Sequence, residues 1–195
     1  MAELLNLKKG EMLNLTKKEP GLKNMRVCAG WDVATKGIGF FKSLFSSVQD
    51  YDLDLAHYLL DADGKVMDTI AFFRMAGSGL RLHGDNLTGA GDGDDEIVTV
   101  QLNKVPNNCV RIVTAAVIYQ ADMRNQSLGN VKNAFVRIVN EDTNKEICRY
   151  NLSENGGDNS AVIVSEFVKE NGEWTFKPIE KYSRDSIKSL GNKLN

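Results

Sequence analysis

CVRIVTAAVIY, residues 109–119, is the longest β-branched run in the chain. A strand with one wet face alternates apolar and polar residues. This one stays apolar at nearly every position, as expected for a central strand buried on both faces. Shorter strand-like runs lie on either side. Upstream, MRVCAGW (25–31) alternates, with Met25, Val27, Ala29 and Trp31 on one face. LDLAHYLL (53–60) and TIAFFRM (69–75) are separated by the turn signal DADGK, and IVTVQL occupies 97–102. Downstream, AFVRIV (134–139) and EICRYNL (146–152) flank NEDTNK, a hairpin loop. Residues 160–169 and 173–179 flank Asn171-Gly172, whose tolerance of positive φ makes it the strongest hairpin signal present. Short strands at this spacing predict an all-β sandwich or barrel. Without an internal repeat or low-complexity linker, residues 1–195 form a single domain.

Two segments depart from the strand pattern. GFFKSLFSSVQDY (39–51) places Phe40, Phe41, Leu44, Phe45 and Val48 at helical spacing. SRDSIKSLGNKL (183–194), within the tail 181–195, reads as a short helix beginning near a serine cap.

Composition narrows the function. With 195 residues, 42% hydrophobic and 26% charged, the chain suits a globular protein with one sizeable core. A net charge of −2 argues against a general nucleic-acid binder. Cys28, Cys109 and Cys148 are too few for a disulfide framework and read as small buried residues. Neither a signal peptide nor a membrane span is expected, and the protein is placed in the cytoplasm.

The charge is unevenly spread. GDNLTGAGDGDDE (84–96) holds five carboxylates and no basic residue, leaving the rest of the chain at about +3. Two like charges about 6 Å apart repel by roughly 0.7 kcal/mol even in water. Either the loop is a solvated acidic turn, or a cation neutralises it. Asp85, Asn86, Thr88, Asp92, Asp94, Asp95 and Glu96 offer oxygen donors, and glycines at 84, 89, 91 and 93 let the backbone bend. That chemistry suits calcium; zinc or copper would need His or Cys. The loop is not an EF-hand. With Asp85 as position 1, Glu96 falls at 12, but Leu87 falls at 3 and Ala90 at 6. A second acidic group, Asp32, Asp50, Asp52 and Asp54, lies at strand ends, with Asp52 and Asp54 on one face by strand alternation.

The stretches KKGEMLNLTKKEPGLKNMRVCAGWD, YDLDLAHYLLDADGKV, HGDNLTGAGDGDDE, RNQSLGNVKNAFVRIVN, RYNLSEN and NGEWTFKPI resemble the tellurium-resistance stress proteins of the TerD type. The combination of Gly-Trp-Asp, Asp-Leu-Asp and the acidic glycine-rich loop carries the resemblance. It implies a two-sheet β-sandwich, here with short peripheral helices, that binds calcium at one end in a bacterial cytoplasmic stress or metalloid-resistance system. Carried over, the ligands are Asp52, Asp54, Asp85, Asn86, Asp92, Asp94, Asp95 and Glu96, with Asp32 nearby. So many carboxylates would suit two calcium ions. The interval between Gly-Trp-Asp and Asp-Leu-Asp is longer here, and the extra material is GFFKSLFSSV. That segment reads as a local lid, a protein-partner contact or a peripheral membrane contact.

The resemblance implies no catalyst. The favoured function is a binding or scaffolding module whose partners are proteins of the same stress system. The alternative is a metal-dependent hydrolase, phosphoesterase-like, using the same carboxylates. His57 and His83 read as packing or hydrogen-bonding groups, and Trp31 and Trp174 as core or rim.

Overall fold

The computed structural model describes residues 5–33, 51–83 and 93–195. The helix expected at 39–51 lies outside them except for Tyr51. So do the candidate ligands Asp85, Asn86 and Asp92.

Among the described residues, thirteen strands run in chain order. They are β1 (Asn6–Leu7), β2 (Leu13–Asn14), β3 (Asn24–Val33), β4 (Leu53–Leu60), β5 (Val66–Ile70), β6 (Ala76–Gly77), β7 (Leu80–Leu82), β8 (Glu96–Gln101), β9 (Arg111–Ile118), β10 (Val131–Asn140), β11 (Lys145–Asn151), β12 (Ala161–Glu170) and β13 (Glu173–Ser183). Among the same residues, three short helices, α1 (Leu15–Lys18), α2 (Ala121–Arg124) and α3 (Ile187–Leu194), lie between or after them. A seven-stranded sheet orders β1-β11-β10-β3-β8-β7-β6, and a six-stranded sheet orders β2-β13-β12-β9-β4-β5.

β9 is central, between β12 and β4, and every residue from Ile112 to Ile118 is buried. Its lack of alternation has the expected cause, because α3 covers the outer face of its sheet. There Ile187 and Leu190 pack with Ala56, Tyr58, Val113 and Ala115. The β12–β13 hairpin turns at Asn171 (φ 50°) and Gly172 (φ 80°), as the Asn-Gly dipeptide predicts. The loop after β10 is tied by Asn140 Oδ1, which accepts from the amides of Asp142 and Thr143.

Two expectations shift, and three short strands were not expected. The strand expected at 69–75 lies earlier, at Val66–Ile70, and residues 71–74 form a turn closed by the Arg74 amide donating to the Ala71 carbonyl. Aromatic content there reflects exposure at the turn, where Phe73 is 60% exposed, and not a continuing ladder. The C-terminal helix begins later than Ser183, because β13 runs on through that residue. Ser186 caps the helix instead, its hydroxyl accepting from the Ser189 amide. The two-residue edge strands β1, β2 and β6 carry too few residues for any periodicity.

The space between the sheets has two apolar halves. One gathers Met25, Leu59, Ile112, Tyr150, Phe167 and Phe176 among others. The other gathers smaller side chains, Ala29, Leu53, Leu55, Ala116 and Val162, around Trp31. A polar row lies between them on the six-stranded sheet. His57 is paired in register with Thr114, and Thr114 with Ser165; all three are buried. Thr114 Oγ1 and His57 Nδ1 are 3.0 Å apart. The register shift between Ile163 and Ser165 lets both Val164 and Phe167 face the core despite their odd spacing.

Candidate functional site

Sheet register decides where the acidic residues fall. β3 pairs Ala29 with Glu96 at the start of β8, and β4 pairs Leu53 with Ile118 at the end of β9. Ala29 and Trp31 pack against Leu53, Leu55 and Ile118 across the sheets. The starts of β4 and β8 therefore stack at the same end of the sandwich. That brings Asp52, Asp54, Asp94, Asp95 and Glu96 to one end, as expected if the two acidic groups converge.

They do not share one face. Leu53 and Leu55 point into the core, so alternation turns Asp54 to the outer face with Ala56 and Tyr58. Asp52, just before β4, accepts from Arg124 Nη1 at 3.5 Å, and its carbonyl accepts the Tyr119 amide at 2.8 Å. Glu96 has the parity of Val98 and Val100 and faces inward. Asp52, Asp54 and Glu96 are 7%, 5% and 2% exposed.

Asp95 is pinned to β3. Its amide donates to the Ala29 carbonyl, and its Oδ2 accepts the Trp31 amide, both at 2.8 Å. Asp94 lies on the outer face of the seven-stranded sheet. Arg137 grips it with two bonds, Nε to Oδ1 at 2.8 Å and Nη2 to Oδ2 at 2.7 Å, while its Nη1 donates to Glu146. The bonds to Asp94 hold the Arg137 guanidinium above its ordinary value. Burial, with the Asp94 charge adding to it, pushes the neighbouring Cys28 thiol up to about 12. Asp32 is exposed and accepts from Asn133 Nδ2 at 2.6 Å.

Arg124 and Arg137 are partners that sequence reading missed. Arg137 had a usable signal: Val136 and Ile138 face the core in AFVRIV, so Arg137 must face out. Its meeting with Asp94 depends on strand order, which no local pattern encodes. Gly30 serves the same region. A Cβ there would approach the Phe135 ring to 2.6 Å, so glycine lets β10 lie against β3 at its bulge.

The remaining candidates have structural roles. His57 is buried, and burial pulls its imidazole down to about 3. His83 Nε2 lies 2.7 Å from Thr99 Oγ1. All three cysteines and both tryptophans are buried.

The donors are all oxygens, which fits a hard cation. Among the described residues, no three His, Cys, Asp or Glu side chains are gathered as a metal-holding group. A complete shell would therefore need donors from 84–92 as well. No helix among the described residues is long and apolar enough to cross a membrane.

A family profile described as the TerD domain matches residues 4–193. The chain is 43% identical to general stress protein 16U of Bacillus subtilis (strain 168), covering 90% of this chain and 89% of that one. It is 38% identical to tellurium resistance protein TerD of Serratia marcescens, covering 90% and 88%. A crystal structure of a TerD homologue from Streptomyces coelicolor A3(2) superposes with a TM-score of 0.65 at 18% identity. It covers 88% of this chain and 96% of that one, and supports the fold alone.

Proposed function

The chain belongs to the TerD domain family, and from that membership we propose that it is a calcium-binding protein of a tellurite- or metalloid-resistance type stress response. It acts in the cytoplasm as a binding or scaffolding module for proteins of the same system. The observation that carries this reading is the burial of Asp52, Asp54 and Glu96 at one end of the sandwich, with Glu96 closing the acidic stretch of sequence. Burying an ionised carboxylate is costly, and a cation bound at that end of the sandwich would offset the cost.

In this reading Asp52, Asp54, Asp95 and Glu96 supply carboxylates from the strand ends. Asp85, Asn86 and Asp92 complete the shells of two ions, with Asp32 at the margin. Asp94 contributes only if it releases an oxygen from Arg137. Bound calcium would neutralise the cluster and tie the start of β4 to the start of β8. The chain's own part is to hold those carboxylates on strand ends and to present that end of the sandwich to a partner.

The test is calorimetric titration of the chelator-stripped protein with calcium, with magnesium as control and melting temperature followed alongside. Selective, saturable binding with a raised melting temperature is expected, because a ligand that binds only the folded state stabilises it. The absence of binding at millimolar calcium would overturn the reading and leave a solvated acidic turn.

A further inference from the structure

Asp94 is already engaged by a cation of the chain itself. Its side chain is 9% exposed, and Arg137 holds both of its oxygens, Nε to Oδ1 at 2.8 Å and Nη2 to Oδ2 at 2.7 Å. A bidentate guanidinium–carboxylate pair is among the stronger polar contacts a protein makes. Asp94 can offer an oxygen to a metal ion only when part of that grip is released.

The same guanidinium has a second carboxylate within reach. Arg137 Nη1 donates to Glu146 Oε2 at 2.7 Å. The other oxygen of that carboxylate, Oε1, is buried and accepts no hydrogen bond among the described residues. Arg149 Nε stands 3.4 Å from it, close enough for an ion pair. Arg149 has other support, because its guanidinium carbon lies 4.0 Å from the centroid of the Phe135 ring. Strand pairing sets Arg137 between its two acids. On β10 it lies opposite Cys28 of β3 on one side and Arg149 of β11 on the other. A buried acceptor without a donor is unfavourable. Glu146 therefore offers in return the bond that Arg137 would lose at Asp94.

We propose that Arg137 is a tethered counter-cation with two positions, one gripping Asp94 in the calcium-free protein and one turned to Glu146 when Asp94 engages calcium. The inference rests on the calcium-binding reading and adds how that site is regulated. Arg137 and calcium compete for the same oxygens. The apparent dissociation constant is then the intrinsic one divided by the fraction of molecules in which Asp94 is free. Affinity is held below what the carboxylates alone would give. The grip also spares the calcium-free protein an unpaired carboxylate at a site with little access to water. Glu146 makes the exchange feasible, since the displaced guanidinium keeps a charged partner.

The test compares the full chain, stripped with chelator, with Arg137→Met and Arg137→Lys by calorimetric titration with calcium. In the ¹⁵N-labelled wild type the Arg137 Nε–H resonance, assigned with Arg137→Lys, is followed through the same titration. Arg137→Met removes the competitor and should bind calcium about tenfold more tightly. Arg137→Lys keeps the positive charge but loses the planar fork, so it separates release of the grip from a general change of charge. It too should bind more tightly, by about threefold. The wild-type Arg137 resonance should shift saturably, with the midpoint found by calorimetry. That readout does not depend on either variant folding. Three results would overturn the switch and leave the calcium site standing: binding with an unmoved Arg137 resonance, equal affinity in all three proteins, or tighter binding by Arg137→Met alone. No binding by the wild type or either variant at millimolar calcium would overturn the calcium reading, and the switch with it.

Discussion

The two halves of the core are made from the same sheets but packed differently. On one side of the His57–Thr114–Ser165 row, large side chains interlock. Phe167 and Phe176, for example, lie with ring centroids 5.1 Å apart. On the other side the side chains around Trp31 are aliphatic, alanine, valine, leucine and isoleucine, and the sheets leave a cavity. The acidic residues and Trp31 all belong to the loosely filled side. The large interlocked side chains are concentrated in one half, and the candidate binding residues in the other. The polar row lets them differ, because a buried histidine bonded to a threonine interrupts the apolar contact between them.

The largest effect that could break this comparison comes from two leucines on one strand. Leu59 and Leu55 are both buried on the inner side of β4, but Leu55 borders the cavity. Leu59→Ala should cost about 4–5 kcal/mol in urea unfolding, near the top of the range for buried leucines. Leu55→Ala should cost about 2–3 kcal/mol, since a side chain beside a void has fewer contacts to lose. Equal losses would mean that the halves are packed alike.

The polar row supplies the next test. Burial holds the His57 imidazole at about 3 when folded, against an ordinary value near 6.5 when unfolded. The unfolded state then binds the extra proton between those values, so stability falls as pH drops from 6.5 toward 3. Each unit of separation is worth about 1.4 kcal/mol. Chemical denaturation between pH 6.5 and 5, above the carboxylate range, should show this slope. His57→Asn should flatten it, and a slope that survived the substitution would assign it to another group.

A smaller effect distinguishes two kinds of buried carboxylate. Glu180 is 2% exposed and is satisfied by neutral donors: the Tyr150 hydroxyl, the Ser153 and Glu154 amides, the Ser153 hydroxyl and the Tyr182 hydroxyl. Burial works to raise its carboxyl, but these bonds outweigh it and hold the group below its ordinary value. Asp54→Asn should weaken calcium binding by at least about tenfold, because ligand charge sets affinity. Glu180→Gln should leave calcium binding unchanged while lowering the melting temperature. Loss of binding in both variants would erase the distinction.

Much of the fold was legible in local pattern. β9 announced itself by an unbroken apolar run, β3 by alternation from Met25 to Trp31, and β12–β13 by Asn171-Gly172. Pattern failed where tertiary context decides. Phe72 and Phe73 read as strand interior but lie at a turn, and Ser183 read as a helix cap but continues β13. The candidate site was legible as chemistry and less so as geometry. The carboxylates and the end of the sandwich they occupy follow from motif and strand ends. That Asp54 faces outward, Glu96 inward and Asp94 toward Arg137 depends on pairings between distant strands. Glu180 lies in phase with the buried positions Trp174, Phe176 and Pro178 of β13, but a carboxylate there reads as the end of the apolar face and not as part of it.

Strand order also carries a consequence for how the chain reaches this state. β12 and β13 meet across a two-residue turn, so their ladder can close at little entropic cost. β3 must find β10, where Cys28 is paired with Arg137, more than a hundred residues later. The seven-stranded sheet thus completes only after most of the chain is available, while one hairpin of its partner can assemble early. Long-range pairing of this kind slows folding. Replacing Asn171 or Gly172 weakens this locally closed element and leaves more of the assembly to distant encounters.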